Sequence, residues 1–424
     1  MSEYDKYVMH SFVKSLQPIV VASAKGATVT DLDGKTYIDC FSGISVVNAG
    51  HCNPKVIEAV KEQVEKLIHC CTYVYYTVPA TKLARKLAEI TPGRLQKTFF
   101  GNSGAEAVET ALRVGRKFSR KHEIISLMCS FHGRTLGTLS VTGQAGRKNY
   151  GMGPYLGDVA FAPAPYCYRC SLKLEYPECG VQCAKMVDDV VNYATAGNVA
   201  EFIAEPVMGE AGIVVPPADY FSEVKKILDR HGILFIVDEV QTGFGRTGKM
   251  FASEHYGIAP DAIAMAKGIA DGLPLGACTT RADIGEAFEP GDHLSTFGGN
   301  PVSCAAALAN IDYLLENKLA DEALEKGQYV LRRLRELQQK HVLIGDVRGL
   351  GLMLGIELVR DQKLKTPAPS EAEKVRELAL GKGVLLGHGG VKGCTVRVQP
   401  PLVITEQQLD TTVEVIDECL RKIR

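Results

Sequence analysis

Two apolar runs without polar alternation, residues 233–237 and 262–266, interrupt a chain whose hydrophobic positions otherwise recur with helical or alternating periods. Runs of this length bounded by turn residues have the pattern of strands buried on both faces of a parallel sheet. Each run ends on one charged residue, Asp238 and Lys267. The pattern therefore predicts neighbouring parallel strands that deliver a carboxylate and an amine to the carboxyl edge of the sheet, where open α/β sheets bind ligands. A buried carboxylate needs a cationic partner, since removing one member of a buried pair costs roughly 3 to 5 kcal/mol. A structural Lys-Asp pair and a cofactor site both satisfy that demand.

The flanking sequence predicts how the rest is arranged. Residues 18–41 alternate and turn at Asp33-Gly34, a small β-meander leading to Ile44. Asn53-Pro54 opens a helical pattern, and a second runs over about 77–90. Tyr73, Tyr75 and Tyr76 between them read as core or interface. A strand-like stretch at 97–100 runs into Ser103, Gly104 and Ala105, where a Gly/Ser turn opens directly into a helix. Free backbone N–H groups and the positive end of the helix dipole make such a turn a phosphate site. After the next strand, Phe131-His132 offers an aromatic face for a flat ring, and Arg134 a guanidinium fork for a carboxylate. Glu205 and Glu210 follow another strand end. Gly243 to Gly248 satisfies GxGxxG, but it is separated from its strand and no apolar helix follows, so the dinucleotide reading is rejected. A polar, Gly-containing stretch around Thr296 precedes a long helix, and an α+β cap begins near residue 320. The expected organisation is an N-terminal segment (1–48, part of the small domain), a large domain (49–320) and a C-terminal small domain (321–424).

Composition narrows the partners. With 424 residues, 46% hydrophobic and 23% charged, the chain exceeds one simple core. A net charge of -1 offers no sheath for nucleic acid or an anionic membrane, so the expected partners are small molecules. The start carries no basic and apolar signal pattern and no run of 18 apolar residues occurs, which predicts a cytoplasmic protein. Among 13 cysteines, Cys167, Cys170, Cys179 and Cys183 cluster in a Pro- and Tyr-containing insertion. The spacing suits zinc, an iron-sulfur cluster or disulfides; a structural clip is the expectation, with no metal in the chemistry.

Together these residues carry a resemblance. GNSGAEAVE at 101–109, SFHGRT at 130–135, EPVMGEAG at 205–212 and VDEVQTGFGRTG at 237–248 stand in order, followed by AMAKG at 264–268, STFGGNP at 295–301 and RVQPPL at 397–402. Their order and spacing resemble the class III, pyridoxal-phosphate-dependent aminotransferases of fold type I over nearly the whole chain. The resemblance implies an α/β fold, with a mostly parallel central sheet, helices on both faces and a smaller α+β domain built from the two chain ends. It implies that Lys267 is the Schiff-base lysine and proton shuttle, that Asp238 partners the pyridine nitrogen and that Gln241 lies near the ring hydroxyl. Ser103, Gly104 and Ala105 match the phosphate cradle and Phe131 the stacking aromatic, with His132 beside it among the cofactor contacts. Thr296 matches a phosphate ligand donated by the neighbouring subunit of a homodimer. Arg397 matches the arginine for a substrate α-carboxylate, and Glu210 the glutamate that covers it otherwise. Ile44 and Arg134 are similar to the pattern of 4-aminobutyrate aminotransferases, with Arg134 on the distal carboxylate. This points to an amino donor of that kind and a keto acid acceptor. The cysteine-containing insertion resembles a branch that also holds broad-range aminotransferases and amino-acid racemases, which keep the same lysine and aspartate. A racemase or aminomutase and a non-catalytic ligand-binding protein are the alternative readings.

Overall fold

The computed structural model describes residues 2–9, 11, 16–148 and 151–423. Its strands, in chain order, begin with β1 (Val21–Lys25), β2 (Thr28–Asp31) and β3 (Thr36–Cys40). Then come β4 (Leu95–Gly101), β5 (Glu123–Leu127), β6 (Val159–Ala162), β7 (Val199–Ala204), β8 (Leu234–Asp238), β9 (Ala262–Met265) and β10 (Gly276–Arg281). The last group is β11 (Ile344–Leu350), β12 (Met353–Asp361), β13 (Thr366–Pro367), β14 (Val384–Gly389) and β15 (Thr395–Val398).

One sheet has the order β4-β10-β9-β8-β7-β5-β6. β9, β8, β7, β5 and β6 run parallel, while β10 is antiparallel to both β9 and β4. The two apolar runs are thus adjacent parallel strands, with Asp238 opposite Ala264. Their lack of polar alternation has a direct cause. Phe235 packs with the helices Gln182–Tyr193 and Tyr220–His231 on one face, and Ile236 packs with the helix Gly104–Ser119 on the other. Helices therefore cover both faces of the mostly parallel sheet, as expected.

Local signals fix the helix starts. The Asn53 side chain accepts from Lys55 N at 3.0 Å to cap Pro54–Lys66, and Asn300 caps Pro301–Glu316 through Val302 N at 2.9 Å.

The second sheet runs β1-β2-β3-β14-β15-β12-β11, with β13 on β12. The meander of β1 to β3 is joined to the C-terminal strands where β3 pairs parallel with β14, Ile38 opposite Val384. The glycine-rich stretch 243–248 belongs to the seam between the two parts. There the fully buried Arg246 donates to Leu352 O at 3.0 Å and to Asn48 Oδ1 at 2.7 Å, so the segment is a structural turn.

The cysteine insertion departs from expectation. Cys167, Cys170, Cys179 and Cys183 line one small cavity of about 20 Å³ as free thiols, so no disulfide clips the segment. It is fastened instead by charge. Arg169 and Tyr166 both donate to the buried Glu357 carboxylate on β12, which Arg348 also reaches at 2.8 Å. Among the described residues no cluster of His, Cys, Asp or Glu has an arrangement that could hold a metal ion, and no helix is long and apolar enough to cross a membrane.

Candidate active site

Asp238 ends β8 and is held from two directions. Its Oδ1 accepts from Val240 N at 3.0 Å, and its Oδ2 lies 2.7 Å from Nδ1 of His132, which comes from the loop after β5. Both side chains are buried, and His132 Nε2 has no partner. Lys267 follows β9 in the left-handed conformation, at φ +49°. Burial pulls its amine below the ordinary lysine value, opposed by the nearby carboxylates of Glu210, Asp238 and Glu205. Asp238 and Lys267 line a single cavity of about 410 Å³.

One end of that cavity is the start of the helix Gly104–Ser119. The Ser103 hydroxyl accepts from Glu106 N at 3.2 Å, which caps the helix. Glycines let the chain pack closely around this helix start: a Cβ on Gly104 would stand 2.7 Å from Val240 Cγ1, and one on Gly276 would stand 2.1 Å from Ser103 O. Phe131, Arg134, Ala105 and Gln241 also line the cavity. Gln241 Oε1 accepts from Gln399 Nε2 at 3.2 Å, which reaches across from the segment after β15.

This set fits pyridoxal phosphate. The helix start suits its phosphate and Phe131 its ring, the fixed Asp238 carboxylate suits a protonated ring nitrogen, and the Lys267 amine suits its aldehyde carbon. The unpartnered His132 Nε2 is a further polar group close to Asp238.

The other end of the cavity is governed by Glu210. Arg397, on β15 and 1% exposed, donates through Nη1 to Glu210 Oε1 at 2.6 Å. Arg147 donates through Nη2 to Glu210 Oε2 at 3.2 Å. Burial raises the Glu210 pKa, but Arg397 and the other cations outweigh it and hold the carboxyl below its ordinary value. Glu205 bridges two loops by accepting from Phe131 N and from Gly209 N, each at 2.9 Å. Burial, with the Asp238 charge adding to it, pushes Glu205 up to about 7.

Two of these residues escaped the sequence analysis as site residues. Glu205 was visible as a strand-end carboxylate without a role, and Arg147 gave no signal at all. Three anticipated residues lie off the cavity wall. Arg397 meets it only through Glu210. Thr296 is exposed, next to Ser295, whose Oγ accepts from Asn102 Nδ2 at 3.2 Å. Ile44 lies in a left-handed turn, with φ of 48°, 62°, 71° and 59° at Ser42, Gly43, Ile44 and Ser45, and Val46 reaches the wall instead. Each non-glycine residue in that conformation costs about 1 to 3 kcal/mol. Asp39 Oδ1 helps hold the turn by accepting from Phe41 N and Ser42 N, each at 2.8 Å, and Ser42 Oγ donates to Gln399 O at 2.6 Å.

Comparison with known proteins identifies the family. Residues 11–420 match the family model for class III aminotransferases. The chain is 42% identical to a leucine/methionine racemase of Thermococcus litoralis, over 96% of this chain and 91% of that one. It is 41% identical to an acetylornithine aminotransferase of Methanothermobacter thermautotrophicus, over 97% and 95%. Among solved structures, an aminotransferase of Bacillus anthracis superposes with a TM-score of 0.93 at 34% identity, covering 100% of this chain and 98% of that one. An amine transaminase from an uncultivated Pseudomonas species in its PLP-bound form gives 0.93 at 31% identity, covering 99% of each.

Proposed function

The chain belongs to the class III aminotransferase family, and from that premise we propose that it moves an amino group from an ω-amino acid or amine, of 4-aminobutyrate type, to an α-keto acid such as 2-oxoglutarate or pyruvate. It is an enzyme of fold type I whose cofactor is pyridoxal 5′-phosphate. When bound, that group supplies a sink for the electron pair left as a substrate carbon loses its proton.

The observation that carries the reading is the Glu210–Arg397 contact at 2.6 Å. A buried guanidinium stays charged at neutral pH, so a carboxylate that covers it can also uncover it. With Glu210 in place the pocket accepts an amine that brings no carboxylate to that point; with Glu210 moved away, Arg397 takes the α-carboxylate of a keto acid. Lys267 Nζ, its proton affinity lowered by burial, is the group that takes up and returns the substrate proton. Asp238 would keep the ring nitrogen protonated, Gln241 would meet the ring hydroxyl, and Ser103, Gly104 and Ala105 would receive the phosphate. Phe131 would cover the ring, and His132 would hold Asp238 in place. Arg134 receives the distal carboxylate of the donor, and the turn that carries Ile44 presents Val46 to the cavity.

The working unit in this reading is a homodimer in which Thr296 reaches the partner's phosphate. Its support is the exposed aromatic next to Thr296: Phe297 is 61% exposed, and its ring lies 5.1 Å from that of His69. We also place the enzyme in the cytoplasm, where its free thiols stay reduced, and divide it at residues 48 and 320.

The similarity to a racemase keeps a second reading alive, since Lys267 and Asp238 serve both reactions. One experiment separates them. Addition of an amino donor alone should convert the cofactor to its amine form, and 2-oxoglutarate or pyruvate should restore it. Interconversion of the L- and D-forms of one amino acid with no keto acid present would replace the aminotransferase reading.

A further inference from the structure

Glu210 is shared by two arginines that reach it from different parts of the chain. Arg397 comes from β15, and Arg147 from the turn Ala145–Arg147. Besides Glu210, Arg397 donates to His388 O at 3.2 Å and keeps a buried Nε without a partner. Arg147 donates from Nε to Gln144 Oε1 at 3.3 Å, and its guanidinium lies 5.9 Å from the centre of the Phe131 ring. Arg134 lies 5.5 Å from the same ring, and its pKa is lowered first by burial and then by the charge of Arg147. Three guanidinium groups thus gather at this end of the cavity, Arg134 on its wall and Arg397 and Arg147 off the wall, joined by the Glu210 carboxylate.

We propose that Arg147 is a specificity-determining residue that receives, together with Arg134, the second carboxylate of a dicarboxylic keto acid once Glu210 has left Arg397. The inference rests on the gating role of Glu210 given above. Both Glu210 oxygens belong to one planar group, so the displacement that clears Arg397 also carries Oε2 off Arg147. A monocarboxylic acceptor then restores an anion to Arg397 only. A dicarboxylic acceptor restores one to each arginine. A donor of 4-aminobutyrate type binds with Glu210 still in place, so Arg134 discriminates for it and Arg147 does not. Arg134 is therefore read out by donor and acceptor alike, and Arg147 by the acceptor alone.

The test uses acids that cannot react. Holoenzyme is titrated by calorimetry with glutarate, which carries two carboxylates, and with butyrate, which carries one, in the wild type, Arg147→Ala and Arg147→Lys. Loss of one charge-assisted pair should lower the ratio of glutarate to butyrate affinity by about tenfold in Arg147→Ala. Arg147→Lys, which keeps the charge and loses the fork, should recover part of that ratio. In turnover, kcat/KM for 2-oxoglutarate relative to pyruvate should fall by a similar factor. An unchanged ratio in Arg147→Ala, or a wild type that does not favour glutarate, overturns the proposal. Because neither acid is a substrate, the binding result stands whatever reaction the enzyme catalyses. A failed half-reaction with the glutarate preference intact would remove the aminotransferase reading alone.

Discussion

Nδ1 of His132 stands 2.7 Å from Oδ2 of Asp238, with both side chains closed off from solvent. The contact, with Val240 N on the other oxygen, leaves the carboxylate a single orientation. Asp238→Asn, which removes the charge opposite the ring nitrogen, should lower kcat at least a hundredfold, the scale on which preorganised electrostatic contacts act. His132→Ala leaves the charge but frees it to rotate, and should cost about tenfold to a hundredfold, as is typical of groups that orient a functional ligand. Steady-state rates at saturating cofactor check both. A His132→Ala enzyme with wild-type kcat would show that the orientation is immaterial.

Glu205 gives a pH prediction. Its pKa is raised to about 7 from an ordinary 4.5, so the folded enzyme holds that proton more tightly than the unfolded chain does. The stabilisation is fully present below about 4.5 and is lost as pH rises through 7. Glu205→Gln cannot ionise and escapes that loss. The stability of the variant relative to wild type should therefore rise between pH 5 and pH 8, by up to about 3 kcal/mol. Denaturant unfolding of both holoenzymes at the two pH values measures the gap, and a gap independent of pH would mean that Glu205 titrates normally.

Arg134 lines the cavity, and its removal should be felt by donors with a distal carboxylate. Arg134→Ala should weaken kcat/KM for 4-aminobutyrate by an amount corresponding to roughly 1.5 to 3 kcal/mol, far more than for a simple amine. Arg397→Ala should instead damage all α-keto acid acceptors. Equal losses for every donor in Arg134→Ala would make that arginine structural.

The shared site can be tested by complementation. Lys267→Ala and Thr296→Asp should each be inactive, the second because it sets a negative charge against the phosphate. In a mixed dimer one site carries both substitutions and the other neither. Random reassortment gives about half mixed dimers with one intact site each, so about a quarter of wild-type activity should return. Mixed dimers that form without recovery would confine Thr296 to its own chain.

What could be read from the sequence was local, or was carried by a whole strand. Asp238 and Lys267 were legible because a strand buried on both faces has an uninterrupted apolar pattern, and its end is where that pattern breaks. The helix starts at Asn53 and Ser103 were legible because a cap acts within three residues. The contact of Arg147 with Glu210 spans 63 positions, and no periodicity encodes such a pair. The left-handed turn at Ser42 depends on Gln399, 357 positions away. The cysteine insertion misled for a related reason, because its spacing suggested a clip while the fastening charge lay far off on β12.

The pairing of β3 with β14 also sets an order in time. Ile38 faces Val384, so the N-terminal meander emerges from the ribosome long before its partner strand exists. At roughly 5 to 20 residues per second the wait is on the order of half a minute. All strands of the large sheet, β4 to β10, are synthesised within that interval and can pair while β3 still presents an open edge. A nascent chain that stalls after residue 281 and before residue 384 therefore carries all strands of the large sheet and an unfinished small one. The segment 21–40 is where a chaperone or protease would tell an incomplete chain from a finished one.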